Sequence, residues 1–97
     1  MIRKAADRDL ERIMQIEEIC FSSRWTKEMF LYELHENEFG HFYVLEENQK
    51  IAGFIDFWIT FECCQLANIA VHPSFQRRGY SRCLMDFMIA FGRAGTV

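Results

Sequence analysis

Residues Gln76 to Ser81 read QRRGYS, set between an apolar run, Asn68 to Val71, and a periodic apolar stretch over about Gly79 to Phe91. Two guanidinium groups, a glycine and a small hydroxyl at the mouth of a helix are the parts of an anion site. The first N–H groups of a helix have no partner within it, and the aligned peptide dipoles leave partial positive charge there. Gly79 would let the chain turn and come close to a ligand, while Arg77 and Arg78 would add charge-assisted hydrogen bonds. A strand before and an amphipathic helix after supply the frame that a phosphate cradle requires. The pattern is neither the Walker loop nor the dinucleotide fingerprint GxGxxG. A solvated arginine pair beside an ordinary loop glycine would be written with the same letters.

Composition narrows the classes of partner. The chain has 97 residues, 51% of them hydrophobic and 15% aromatic, so it reads as one globular domain spanning residues 1–97. Its formal net charge of -3 lacks the broad basic excess of a nucleic-acid binder. No nucleic-acid partner is expected. The opening MIRKAADRDLERIM has no apolar signal core, and no apolar run nears the ~18 residues of a membrane span. A cytoplasmic protein with no membrane partner is the expectation. Cys20, Cys63, Cys64 and Cys83 form no CxxC pair and have no histidine at zinc-finger spacing, so no metal site is expected.

The elements that must hold the loop follow from periodicity. A short strand over Met1 to Lys4 precedes a helix capped by Asp7 and running to about Cys20, with Leu10, Ile13, Met14 and Cys20 on its apolar face. Thr26 caps a second helix to roughly Asn37, and Gly40 marks its exit. HFYVLEE and KIAGFIDFWITF, joined by the polar turn Asn48–Gln49, read as a hairpin whose second strand is covered on both faces. Gly53 is expected at a close approach or bulge, and Asp56 by alternation shares a face with Phe54 and Trp58. Gln65 to Pro73 is the last strand, and the last helix buries Leu84, Phe87, Met88 and Phe91. Trp25, Phe30, Tyr32 and Phe39 either pack the core or wall a groove.

The six residues QRRGYS fall on the pattern Q/R-x-x-G-x-G/A, and this segment resembles the coenzyme A signature of the GNAT superfamily of N-acetyltransferases. NIAVHP, Asn68 to Pro73, is similar to the strand before it in the RimI-type branch, which acetylates alanine termini of ribosomal proteins. ICFSSRWTKEMFLYEL resembles that branch's F-x-x-P-W-S/T region. The resemblance implies an α/β fold of the α+β type: a mixed, mainly antiparallel sheet in the order strand, helix, helix, three strands, helix. It implies acetyl-CoA as co-substrate and a peptide or protein N-terminus as acceptor. Backbone groups of Ile69, Ala70 and Val71 would hold the pantetheine arm, and Arg77, Arg78, Gly79, Tyr80, Ser81 and Arg82 the diphosphate.

Two residues depart from the family pattern. Ser81 stands where Gly or Ala is usual, and its hydroxyl would either crowd the phosphate or donate to it, an effect of about 1 kcal/mol. Arg24 replaces the proline before Trp25 and adds charge beside the acceptor groove that the resemblance implies. The family's later strands, which carry its general base and acid, have no counterpart after GRAGTV, Gly92 to Val97, so no catalytic pair is nominated. Glu62 and His72 flank the last strand and could serve as a base, or be ordinary exposed residues at its ends. A sheet that stops at Gln65 to Val71 would expose an edge, so a homo-oligomer is expected. A non-catalytic acetyl-CoA-binding module and an inert oligomeric fragment stand as the alternatives to an active enzyme.

Overall fold

The structure is a computed structural model and describes residues 1–94. Strands β1 (Ile2–Lys4), β2 (Gly40–Glu47), β3 (Lys50–Ile59) and β4 (Cys64–Val71) form one sheet in that spatial order. All three pairings are antiparallel, so the expected mixed character is not seen among the described residues. Helices α1 (Leu10–Cys20) and α2 (Lys27–His35) cover one face, and α3 (Tyr80–Ala94) covers the other. No described helix is long and apolar enough to cross a membrane.

The starts of α1 and α2 and the hairpin turn each have an identifiable cause. Thr26 Oγ1 accepts the Met29 N–H at 3.2 Å, closing the first turn of α2. The expected cap at Asp7 is displaced: residues Asp7–Asp9 form a 3-10 turn, and the Asp9 carboxylate accepts the Ala6 N–H at 2.8 Å. Arg3 explains the choice. Its guanidinium grips Asp9 through two bonds of 2.8 and 2.9 Å, which ties β1 to the start of α1 and draws Asp9 into the core. The β2–β3 turn needs two left-handed residues, and Asn48 (φ 51°) and Gln49 (φ 66°) supply them.

Ile51 through Phe57 are all buried, since β3 is sandwiched between two cores. Toward α1 and α2 lie Ile13, Ile16, Phe30, Phe42, Val44 and Phe54; toward α3 lie Leu45, Ile55, Phe57, Leu84 and Met88. His41, Tyr43, Phe57, Phe87 and Phe91 interlock on the α3 side, with His41 and Phe91 ring centres 4.6 Å apart. The β3–β4 register shifts after Asp56, leaving Ala67 as an extra residue: Asp56 faces Asn68, while Phe57 faces Leu66.

Gly53 is the close approach that the sequence suggests. A Cβ built there would lie 2.6 Å from the Ala70 carbonyl oxygen, a backbone atom that cannot swing aside. Gly53→Ala is therefore expected to force β3 and β4 apart and lower stability by about 1–3 kcal/mol, measured by urea unfolding.

Candidate functional site: the edge of β4 and the start of α3

Strand β4 has β3 on one side and no strand on the other among the described residues, so alternate N–H and C=O groups along it face outward. Ile69, Ala70 and Val71 form its last stretch. The chain then passes through His72, the 3-10 turn Pro73–Phe75 and residues 76–79 before α3 begins at Tyr80. Gln76 folds this loop back on the strand, its Nε2 donating to the Val71 carbonyl at 3.2 Å. Cys20 Sγ reaches the same carbonyl from α1 at 3.4 Å.

Two residues of the loop are left-handed, Arg77 at φ 66° and Gly79 at φ 77°. Glycine adopts this conformation freely; arginine does so at a cost, which marks a backbone held in shape by its surroundings. The helical ladder starts where Cys83 N donates to the Gly79 carbonyl at 3.0 Å. The N–H groups of Tyr80, Ser81 and Arg82 therefore precede it, free of the helix's own bonds. Nothing lies within 4 Å of the position that a Gly79 Cβ would take. Open space, the glycine's backbone freedom and the helix's positive end coincide at one spot.

The side chains divide. Arg77, Ser81 and Arg82 are exposed, and no described residue bonds or pairs with their side chains. Arg78 and Tyr80 turn instead toward β2: Arg78 lies 3.3 Å from Glu47 Oε2, and the Tyr80 hydroxyl donates to the same oxygen. The Arg78 guanidinium also covers the Phe75 ring at 5.2 Å. Glu47 thus gathers two of the expected ligand side chains, a role with no signal in the sequence because it arises from packing the hairpin beside the loop. The hydrogen bond that it donates to Glu47, then burial, raise the Tyr80 hydroxyl above its ordinary pKa, with Arg78 opposing.

A second missed residue is Glu17. It is 2% exposed, and one carboxylate oxygen accepts the Trp25 N–H at 2.9 Å while the other accepts Asn68 Nδ2 at 2.9 Å. A single side chain of α1 thereby fastens the α1–α2 loop to β4. An open groove of about 810 Å³ runs beside this clasp, lined in part by Arg12, Glu17, Arg24 and Trp25. The aromatic group considered from sequence is split: Phe30 is core and touches Trp25 at 5.2 Å, while Tyr32 and Phe39 are half exposed.

Glu62 and His72 lie beyond opposite ends of β4. His72 Nδ1 accepts the Ser74 N–H at 3.0 Å, and burial, then the charge of Arg12, lowers its pKa, so the ring is neutral near pH 7. Glu62 is exposed in the β3–β4 connection. Among the described residues no group of three or more His, Cys, Asp or Glu side chains could hold a metal ion.

Comparison with known proteins places this geometry. The profile of the Acetyltransferase (GNAT) family matches residues 10–96. A Bacillus subtilis (strain 168) protein, provisionally named a ribosomal protein bS18-alanine N-acetyltransferase, is 35% identical over 75 residues, covering 77% of this chain and 50% of that protein. The Escherichia coli (strain K12) ribosomal protein bS18-alanine N-acetyltransferase is 30% identical over 81 residues, 84% of this chain and 53% of its own. The chain thus spans about half the length of the curated relatives it matches. The crystal structure of the ribosomal-protein-S18-alanine N-acetyltransferase from Escherichia coli superposes with a TM-score of 0.83 at 28% identity, over 93% of this chain and 57% of the other. A Thermoplasma acidophilum PaiA N-acetyltransferase, solved with coenzyme A, shares the fold at a TM-score of 0.85 and 17% identity, over 100% of this chain and 74% of that one. With the family profile covering nearly all of the sequence, and with β4, its loop and α3 in the order that the signature requires, the chain belongs to the acetyltransferase (GNAT) family.

Proposed function

We propose that this chain binds acetyl-CoA and takes part in transferring its acetyl group to the α-amino group of a protein that begins with alanine. The observation that carries this reading is the loop before α3, where left-handed Arg77 and Gly79 open the free amides of the helix start onto unfilled space. Relatives named as alanine N-acetyltransferases of ribosomal protein bS18 support the acceptor, and a fold neighbour solved with coenzyme A supports the co-substrate. The outward backbone groups of Ile69 and the Val71 N–H would hold the pantetheine arm as a sheet edge holds an added strand, whereas the Ala70 carbonyl, expected to join them, faces Gly53 of β3 and the Val71 carbonyl is taken by Gln76 and Cys20. Amides from Arg77 to Arg82, with the Arg77 and Arg82 guanidinium groups, would meet the diphosphate. The cytoplasm is the location that this chemistry fits.

In the transfer, the amine nitrogen attacks the thioester carbonyl, its N–C bond forms, the C–S bond breaks, and the thiolate leaves to take up a proton. A backbone N–H at the strand edge stabilises the oxyanion that forms, an effect of about 3 kcal/mol per donor in acyl transfer. The attacking amine must be neutral. An α-amino group, with a pKa of about 8, loses its proton near pH 7 far more readily than a lysine at about 10.4. That difference favours a protein N-terminus as acceptor. We also infer self-association through the Cys64–Leu66 end of the β4 edge, away from the Ile69–Val71 stretch given to the coenzyme and near which Phe61, Leu66 and Ile89 are exposed.

Calorimetric titration with coenzyme A tests the coenzyme site. Arg77→Ala is expected to weaken binding about tenfold, about 1.4 kcal/mol, and Arg78→Ala by less, because Glu47 already draws that side chain aside. No measurable heat with the unaltered chain would remove the basis of the proposal. Given acetyl-CoA, a peptide starting with alanine should gain one acetyl group, and the same peptide blocked at its N-terminus should gain none. Binding without transfer would point to a non-catalytic module. Sedimentation should show mass rising with concentration; a compact monomer throughout would refute the edge pairing.

A further inference from the structure

Asp56 lies in the middle of β3, 0% exposed, with Phe42 of β2 on one side and Asn68 of β4 on the other. Its carboxyl is on the sheet face turned to α1 and α2, and neither oxygen has a hydrogen-bond donor among the described residues. A carboxylate in that position, ionised and unpaired, would be stripped of water with nothing in exchange. The groups facing it deepen the problem. Glu33 comes down from α2, 7% exposed, and its oxygens already accept Trp58 Nε1 at 2.7 Å and Asn37 Nδ2 at 3.0 and 3.1 Å. Asn68 has given its amide N–H to Glu17 of α1. No lysine, arginine or histidine among the described residues pairs with Asp56. Burial first, then the neighbouring Glu33, push the Asp56 carboxyl up to about 9, opposed by Trp58.

We propose that Asp56 and Glu33 form a binding site for a single proton: Asp56 is a carboxylic acid at neutral pH, and its O–H donates to the Glu33 carboxylate, fastening α2 to the centre of the sheet. A proton is the ligand that fits because both groups are acceptors only, and one hydrogen gives the pair the donor it lacks. Glu33 is the ionised partner, since the N–H groups of Trp58 and Asn37 are aimed at its oxygens and stabilise its charge. Those same N–H groups disfavour a metal cation, which would need further oxygen ligands in their place. Loss of the proton to solvent base leaves two like charges side by side in a dry space, and α2 loosens from β3.

The sign for pH follows from the raised value. Asp56 binds its proton more tightly folded than unfolded, so its contribution is complete below the ordinary carboxyl value of about 3.9 and is lost as pH rises through about 9.

Carbon-13 NMR of the aspartate and glutamate carboxyls of the full chain, from pH 4 to 10, reads the site directly, and the Trp58 indole N–H resonance reads it through Glu33. One aspartate is expected to stay protonated through pH 7 and to titrate several pH units above the others, with the Trp58 resonance moving at the same midpoint. Asp56→Asn keeps a donor toward Glu33, so it should fold, lose both transitions, and show a melting temperature that no longer falls as pH rises toward 9. An Asp56 carboxyl already ionised at pH 7, or a Trp58 transition unchanged in Asp56→Asn, would overturn the proposal. Should that variant not fold, Glu33→Gln replaces it: the Asp56 midpoint should then drop, and an unmoved midpoint would show that no proton is shared.

Discussion

Burial of β3 on both faces is the constraint from which the other features follow. A strand sealed between two apolar layers cannot hydrate anything it carries, so each of its residues must be apolar, absent as a side chain, or matched by a partner. Gly53 is the absent case, giving its space to the Ala70 carbonyl of β4. Asp56 is the polar case, buried without a hydrogen-bond donor among the described residues and with the acidic Glu33 beside it. The strand that must be driest thus fixes how closely β4 lies and how α2 docks, and the candidate coenzyme edge inherits its position from both.

The site is built by tethering rather than by a rigid pocket. Gln76 holds the loop to the end of β4, Glu17 holds the α1–α2 loop to the middle of the same strand, and Glu47 steers two loop side chains toward the hairpin. All three act through one or two hydrogen bonds; the Gln76 tether is local, while Glu17 and Glu47 bring distant parts of the chain to β4 and to the start of α3. Left-handed Arg77 fits this picture, because a strained backbone persists only where its surroundings over-determine it.

Much of this is legible in the sequence. The hairpin turn at Asn48–Gln49, the Thr26 cap, the close approach at Gly53 and the strand, loop and helix around Gln76 to Ser81 each have a local cause that adjacent residues spell out. What escaped has a non-local cause. Asp7 reads as a cap, yet Asp9 takes that place because Arg3 of β1 draws its carboxylate inward. Alternation gave Asp56 a face but could not say that Glu33 waits there. Glu17 reads as one more charge on a helix, and only folding shows that it is buried and divided between two partners.

The extra residue at Ala67 has a consequence for how the gene could vary. Beyond it Asn68 and Ala70 face α1, whereas before it Cys64 and Leu66 fall on the α3 side, with Cys64 against Gly92. The strand carries two phases of alternation spliced at one point. Were Ala67 instead to pair regularly with Phe57, the splice would vanish and the front half of β4 would turn over, setting Gln65 opposite Ile59 on the α3 side and Leu66 opposite Trp58 on the other. Loss of the Ala67 codon would do the reverse, leaving one regular ladder with Leu66 still opposite Phe57 and Cys64 still opposite Ile59, so a shortening here is the change that both layers can absorb.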